Sequence, residues 1–78
     1  MDEERLREQL EFAAMEVWDG APAGPLQASR VRRAIGDVLR KNRLQGHIEV
    51  LHGGQAARIT LAPRAPRARQ VVIQLVIG

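Results

Sequence analysis

Seventy-eight residues, 45% of them hydrophobic and none of them cysteine, with a net charge of +3, describe one small domain, residues 1–78, that buries only about 60% of the surface its unfolded chain exposes. Neither a disulfide framework nor a thiolate zinc site can staple it, which leaves oligomerisation as the common remedy for marginal stability. No apolar run approaches the roughly 20 residues of a membrane span, and the acidic start Met1-Asp2-Glu3-Glu4 is the opposite of a secretory signal, so a cytoplasmic protein without a membrane partner is expected.

From Asp2 to about Trp18 the spacing predicts a helix, with Leu6, Leu10, Ala13, Ala14 and Val17 on one stripe. Asp2, Glu3 and Glu4 sit where the helix dipole favours negative charge. Phe12 and Met15 project from the opposite side and Trp18 from the flank, more apolar surface than one buried face requires. The expectation is that a compact domain wraps around this end of the helix, with a subunit contact as the competing reading. The same segment concentrates the acids: residues 1–19 carry seven against Arg5 and Arg7, a net of −5, while residues 20–78 carry ten bases against Asp37 and Glu49, a net of +8. Either the first helix folds back and neutralises the rest, or the asymmetry points outward, to a neighbouring subunit or to nucleic acid.

Residues 19–25, Asp-Gly-Ala-Pro-Ala-Gly-Pro, read as an interhelix linker, because two glycines and two prolines defeat both helix and ladder. Pro25 is placed to open the second helix. There Val31, Ala34, Ile35, Val38, Leu39 and Asn42 follow helical spacing, Arg40, Lys41 and Arg43 complement the dipole at the last turn, and Gly46 is expected to supply a left-handed stop. Gly36, in mid-helix, costs about 1 kcal/mol relative to alanine; close backbone packing or simple tolerance would each account for it.

Beyond Gly46 the period changes from 3.6 to 2. Residues 47–52 form a strand with Ile48 and Val50 on one face, Gly53-Gly54 reads as a two-residue hairpin turn, and Ala57, Ile59 and Leu61 mark the return. Residues 63–69 are a Pro/Arg-rich connection held near polyproline geometry. The last strand, Gln70 to Gly78, sets Val71, Ile73, Leu75 and Ile77 on one face and Gln70, Val72, Gln74 and Val76 on the other. Neither face suits water, so this strand is expected to lie between neighbours, one of which can belong to another molecule. The fold class is therefore α+β, two helices on a small, mostly antiparallel three-stranded sheet in the order ααβββ.

Chemistry is hard to find. His47 and His52, five apart on a strand, point to opposite faces and cannot share a metal; Glu49 beside His47 reads as a solvated pair. Ser29 and Thr60 lack the context of an activated nucleophile, and Gly53-Gly54 opens no helix that could hold phosphate. The expectation is no enzyme, with no catalytic, cofactor or metal residues. Candidate interface residues are Phe12, Met15, Trp18, Val72, Gln74 and Val76. The alternative is a small basic nucleic-acid-binding regulator of winged-helix type, contacting its ligand through Arg30, Arg33, Arg40, Lys41, Arg43, Arg64, Arg67 and Arg69.

The helix Ser29-Arg30-Val31-Arg32-Arg33-Ala34-Ile35 through Leu39, its end Leu44-Gln45-Gly46, and the run Leu61-Ala62-Pro63-Arg64-Ala65-Pro66 leading into Val71-Val72-Ile73 together resemble the C-terminal domain of contractile phage tail sheath proteins. In that family the C-terminal strand meshes neighbouring subunits by sheet augmentation. Arg40-Lys41-Asn42-Arg43 replaces the family's tryptophan-rich helix end, and Arg67-Ala68-Arg69 stands where an acidic and an aromatic residue are usual. The resemblance thus implies a small tail, baseplate or neck component of related fold. It would associate with copies of itself or other subunits, in the host cytoplasm before assembly or in the virion. An accessory or adaptor subunit of another complex shares this assembly logic.

Overall fold

The computed structural model describes residues 2–18, 20, 22–63 and 69–78. Helix α1 (Glu3–Val17) and helix α2 (Pro25–Lys41) precede three strands, β1 (Gly46–Leu51), β2 (Ala56–Leu61) and β3 (Val71–Val76). The strands form an antiparallel sheet in the order β1-β2-β3, with Ile48 opposite Ile59 and Ile59 opposite Ile73. This is the α+β arrangement that the change of period predicts. Both helices lie on one face of the sheet. Leu6, Leu10 and Ala14 of α1, Val31, Ile35 and Leu39 of α2, Ala57, Ile59 and Leu61 of β2, and Ile73 and Leu75 of β3 make one buried cluster.

Local chemistry fixes the helix ends. Asp2 caps α1, its Oδ1 accepting from the Glu4 amide at 3.0 Å, and Pro25 occupies the first turn of α2. The end of α2 differs from expectation. The left-handed residue is Arg43, with φ 56°. Its amide donates to the Arg40 carbonyl at 3.0 Å, while the Leu44 amide reaches back to Leu39 at 2.8 Å, a complete Schellman closure. Gly46 instead opens β1, where the backbone runs so close to β2 that a Cβ would stand 2.8 Å from the Thr60 carbonyl oxygen. Gly36 is not explained by close packing: a Cβ there would meet only Ile48 Cδ1, at 3.8 Å.

The connection between β1 and β2 is also longer than a two-residue turn. It runs His52 to Gln55 and includes a single 3-10 turn at His52–Gly54, with His52 at φ 53°, Gly53 at 64° and Gly54 at 103°. Tertiary contact selects this shape. The Gly53 carbonyl accepts from the Gly24 amide at 3.0 Å, and a Cβ on Gly53 would lie 2.6 Å from that nitrogen. The loop is thereby seated on the start of α2.

Strand β3 pairs with β2 of its own chain and stands at the sheet edge. Within the chain its one strand neighbour among the described residues is β2, which takes the central place with Ala57, Ile59 and Leu61 buried. The expected polyproline geometry of the 63–69 connection falls mostly outside the described residues. Among the described residues, no helix is long and apolar enough to cross a membrane.

Candidate functional site

The face of the sheet turned away from the helices is built from three cross-strand rows. His47, Thr60 and Val72 form one row, Glu49, Arg58 and Gln74 the next, and Leu51, Ala56 and Val76 the last. Side chains alternate along each strand, so the register that sends Ile59, Ile73 and Leu75 inward delivers these nine outward. The result is a polar centre with an apolar row at one end, where Val76 is 84% exposed; Val72 is 44% exposed. Arg58 stands 3.8 Å from Glu49, both side chains about half exposed, a surface pair of little energetic weight.

The candidate interface residues divide among three places. Val72, Gln74 and Val76 share the open face of β3. Phe12, 67% exposed, and Met15, 58% exposed, lie on the far side of α1, behind the Leu6/Leu10/Ala14 stripe and so on the opposite surface of the two-layer fold. Among the described residues no element covers this side of α1, so the domain does not wrap around them there. Trp18 is turned inward: it packs on the core, and its indole lies against Gly54 and Gly78, close enough that a Cβ on Gly78 would come within 3.0 Å of Cε2 and Cζ2. Only Phe12 and Met15 of that trio are therefore exposed.

Two features carry weak sequence signals. Leu26, 69% exposed, adds an apolar side chain at the start of α2; its position off the Val31/Ile35/Leu39 stripe was the available clue. Gln27 lies on that stripe at the preceding i−4 position and is 2% exposed. Its Nε2 donates to the Val17 carbonyl at 3.2 Å, satisfying an orphan acceptor at the end of α1, while its Oε1 finds no partner among the described residues.

The basic residues are distributed by the helical period of α2. Arg30, Arg33 and Lys41 border the groove against α1, facing Glu16, and Arg32, Arg33 and Arg40 border the seam against β1. Arg40 also pairs with Asp37. Arg43 and Arg69 are exposed, and Arg64 and Arg67 lie outside the described residues. The tip of the β1–β2 hairpin does not project as a wing, because Gly53 is bonded to Gly24 at the start of α2. Among the described residues the ion pairs are Arg40–Asp37 and Arg58–Glu49, neither involving an acid of α1; that helix folds onto the domain through apolar contact and neutral or singly charged hydrogen bonds, from Arg7 to the Gln74 carbonyl at 2.8 Å, from Asn42 to Gln9 Oε1 at 3.0 Å and from Gln27 to the Val17 carbonyl.

The histidines, Glu49 and the two hydroxyls, none of them expected to be catalytic, are dispersed. Glu49 faces Arg58, His52 has left the strand for the turn, Ser29 is exposed on α2, and Thr60 is half-buried in the middle strand. Among the described residues no three His, Asp or Glu side chains gather as metal ligands. Compared with protein-family models, curated proteins and solved structures, the chain matches none of them.

Proposed function

We propose that this domain is a non-enzymatic assembly module that associates with copies of itself through the open face and free edge of β3, with the Phe12/Met15 face of α1 as a second contact. The observation that carries the reading is the placement of Val72 and Val76 on an edge strand, on a sheet face that neither helix covers. Edge strands with apolar outer faces invite pairing, and proteins that remain monomeric blunt them. Among the described residues the blunting here is one hydrogen bond, from Arg7 to the Gln74 carbonyl. A phage or phage-like contractile tail is the setting we propose, on the resemblance of the α2 and Ala62-Pro63 to Val71 segments; cytoplasmic synthesis followed by incorporation into a virion belongs to the same proposal.

The test is size-exclusion chromatography with light scattering on the wild-type chain and on a Val72→Asp/Val76→Asp variant. The wild type is expected to exceed its 8.7 kDa monomer mass at tens of micromolar, and the variant to revert to it with unchanged circular dichroism. Equal masses for both would overturn the role of β3.

A second reading is nucleic-acid binding, favoured by the exposed Arg30, Arg32, Arg33, Arg40, Lys41 and Arg43 of α2 and its end. Phosphate contacts give affinity that falls steeply with salt. Failure to bind duplex DNA at about 50 mM salt, where electrostatics are exaggerated, removes it.

A further inference from the structure

The sheet is one strand too narrow for the helices it carries. Two helices packed side by side, each about 10 Å across with side chains, span about 20 Å, whereas three strands spaced about 4.8 Å apart span about 14 Å. One lane is left over beside the sheet. On the β3 side, Arg7 of α1 reaches into it and occupies the Gln74 carbonyl. On the β1 side it is open: two adjoining hollows of about 520 and 280 Å³ lie along the seam between α2 and β1, sharing Arg32. Ile48 and Val50 of the strand border this trough, and Arg33, Gly36 and Arg40 continue its helical wall beyond Arg32.

The backbone beside the trough is equipped to bond. The Ala62 amide donates to the Gln45 carbonyl at 2.8 Å, and these two residues continue the β1–β2 register. By the alternation of an antiparallel ladder, His47, Glu49 and Leu51 bond to β2 while Gly46, Ile48 and Val50 direct their amides and carbonyls outward, into the empty lane. Gly36 acquires a reason here. Among the described residues no contact requires a glycine at that point, yet its missing side chain keeps the middle of the trough clear, between an apolar floor of Leu39, Leu44 and Ile48 and a rim of three arginines.

We infer that the β1–α2 trough is an acceptor for an extended, acidic segment of a partner protein, which adds to β1 as a fourth strand. Main-chain bonds to Gly46, Ile48 and Val50 supply affinity, apolar side chains settle over Gly36 and Leu39, and carboxylates meet Arg32, Arg33 and Arg40. The occupant is a single extended segment, because a folded sheet edge would bring its own helices against the overhanging α2. The trough lies on the edge opposite β3, so the inference stands apart from self-association through that strand.

The probe is a fluorescein-labelled octapeptide of sequence Thr-Glu-Thr-Val-Thr-Glu-Thr-Val, which as a strand presents glutamate and valine alternately on the one face turned to α2, titrated by fluorescence anisotropy against the full chain, with 15N–1H NMR to locate it. Saturable binding is expected, with the largest shifts at the Gly46, Ile48 and Val50 amides. Gly36→Leu, which fills the trough, and Ile48→Pro, which removes an outward amide without touching the β1–β2 ladder, are each expected to weaken it at least tenfold. Arg32→Glu/Arg33→Glu should do the same, and circular dichroism verifies that each variant is folded. No binding at millimolar protein, or binding that falls with the arginine reversals and ignores both Gly36→Leu and Ile48→Pro, overturns the inference. So does an eight-nucleotide single-stranded DNA that binds the trough as tightly as the peptide, which would make it a polyanion site.

Discussion

Arg43 offers the sharpest test of the local structure. It sits at φ 56° as the residue that closes α2, and a left-handed conformation costs an L-residue roughly 1–2 kcal/mol. Glycine avoids that cost but loses about 0.5–1 kcal/mol more conformational entropy on folding, so Arg43→Gly is expected to stabilise the domain by about 0.5–1 kcal/mol. In a domain of this size that raises the melting temperature by about 2–8 °C, readable by circular dichroism at 222 nm. Arg43→Ala is the control, because it removes the same charge beside Arg40 and Lys41 while retaining a Cβ, and it is expected to leave the melting temperature unchanged. An equal gain from both variants would assign the effect to charge repulsion. No gain from Arg43→Gly would refute the Schellman closure.

Gly36→Ala should stabilise by about 1 kcal/mol, seen as a higher urea midpoint, because the added methyl meets only Ile48 at ordinary contact distance. Gly53→Ala should lower the same midpoint by about 2 kcal/mol or more, since it combines a φ of 64° with a 2.6 Å approach to the Gly24 nitrogen. Deleting Val72–Gly78 removes the buried Ile73 and Leu75, worth roughly 1.5–3 kcal/mol each, together with half the ladder of β2. That is comparable to the whole stability of a small domain, and loss of the circular dichroism signal is the expected outcome. A truncated chain that keeps its spectrum would show that β3 is dispensable to its own core.

The fold was largely legible because its signals are periodic. The i, i+4 series through Val31, Ile35 and Leu39 and the alternation of Ala57, Ile59 and Leu61 each bury the side chains they nominate. Turn chemistry was read less well. The glycines at 46, 53 and 54 look like generic stops and turns, but contacts distant in sequence assign their roles: Thr60 against Gly46, Gly24 against Gly53, Gln27 and Trp18 against Gly54. The same cause turned Trp18 inward and left Phe12 and Met15 outside. Helical phase separates those residues into faces and cannot say how many faces the remaining chain will cover. The open sheet face was half legible: Val72 and Val76 follow from alternation, whereas their neighbours Leu51 and Ala56 required the strand register. The β1–α2 trough depends on the width of two helices against three strands, a property of packing with no linear signature.

Sedimentation equilibrium of the wild-type chain, from about one to a hundred micromolar, addresses the assembly claim most directly. The account predicts a weight-average mass that climbs with concentration above 8.7 kDa and ceases to climb when Val72 and Val76 are replaced by aspartate. A mass fixed at the monomer value throughout that range, with the native circular dichroism spectrum, would contradict it.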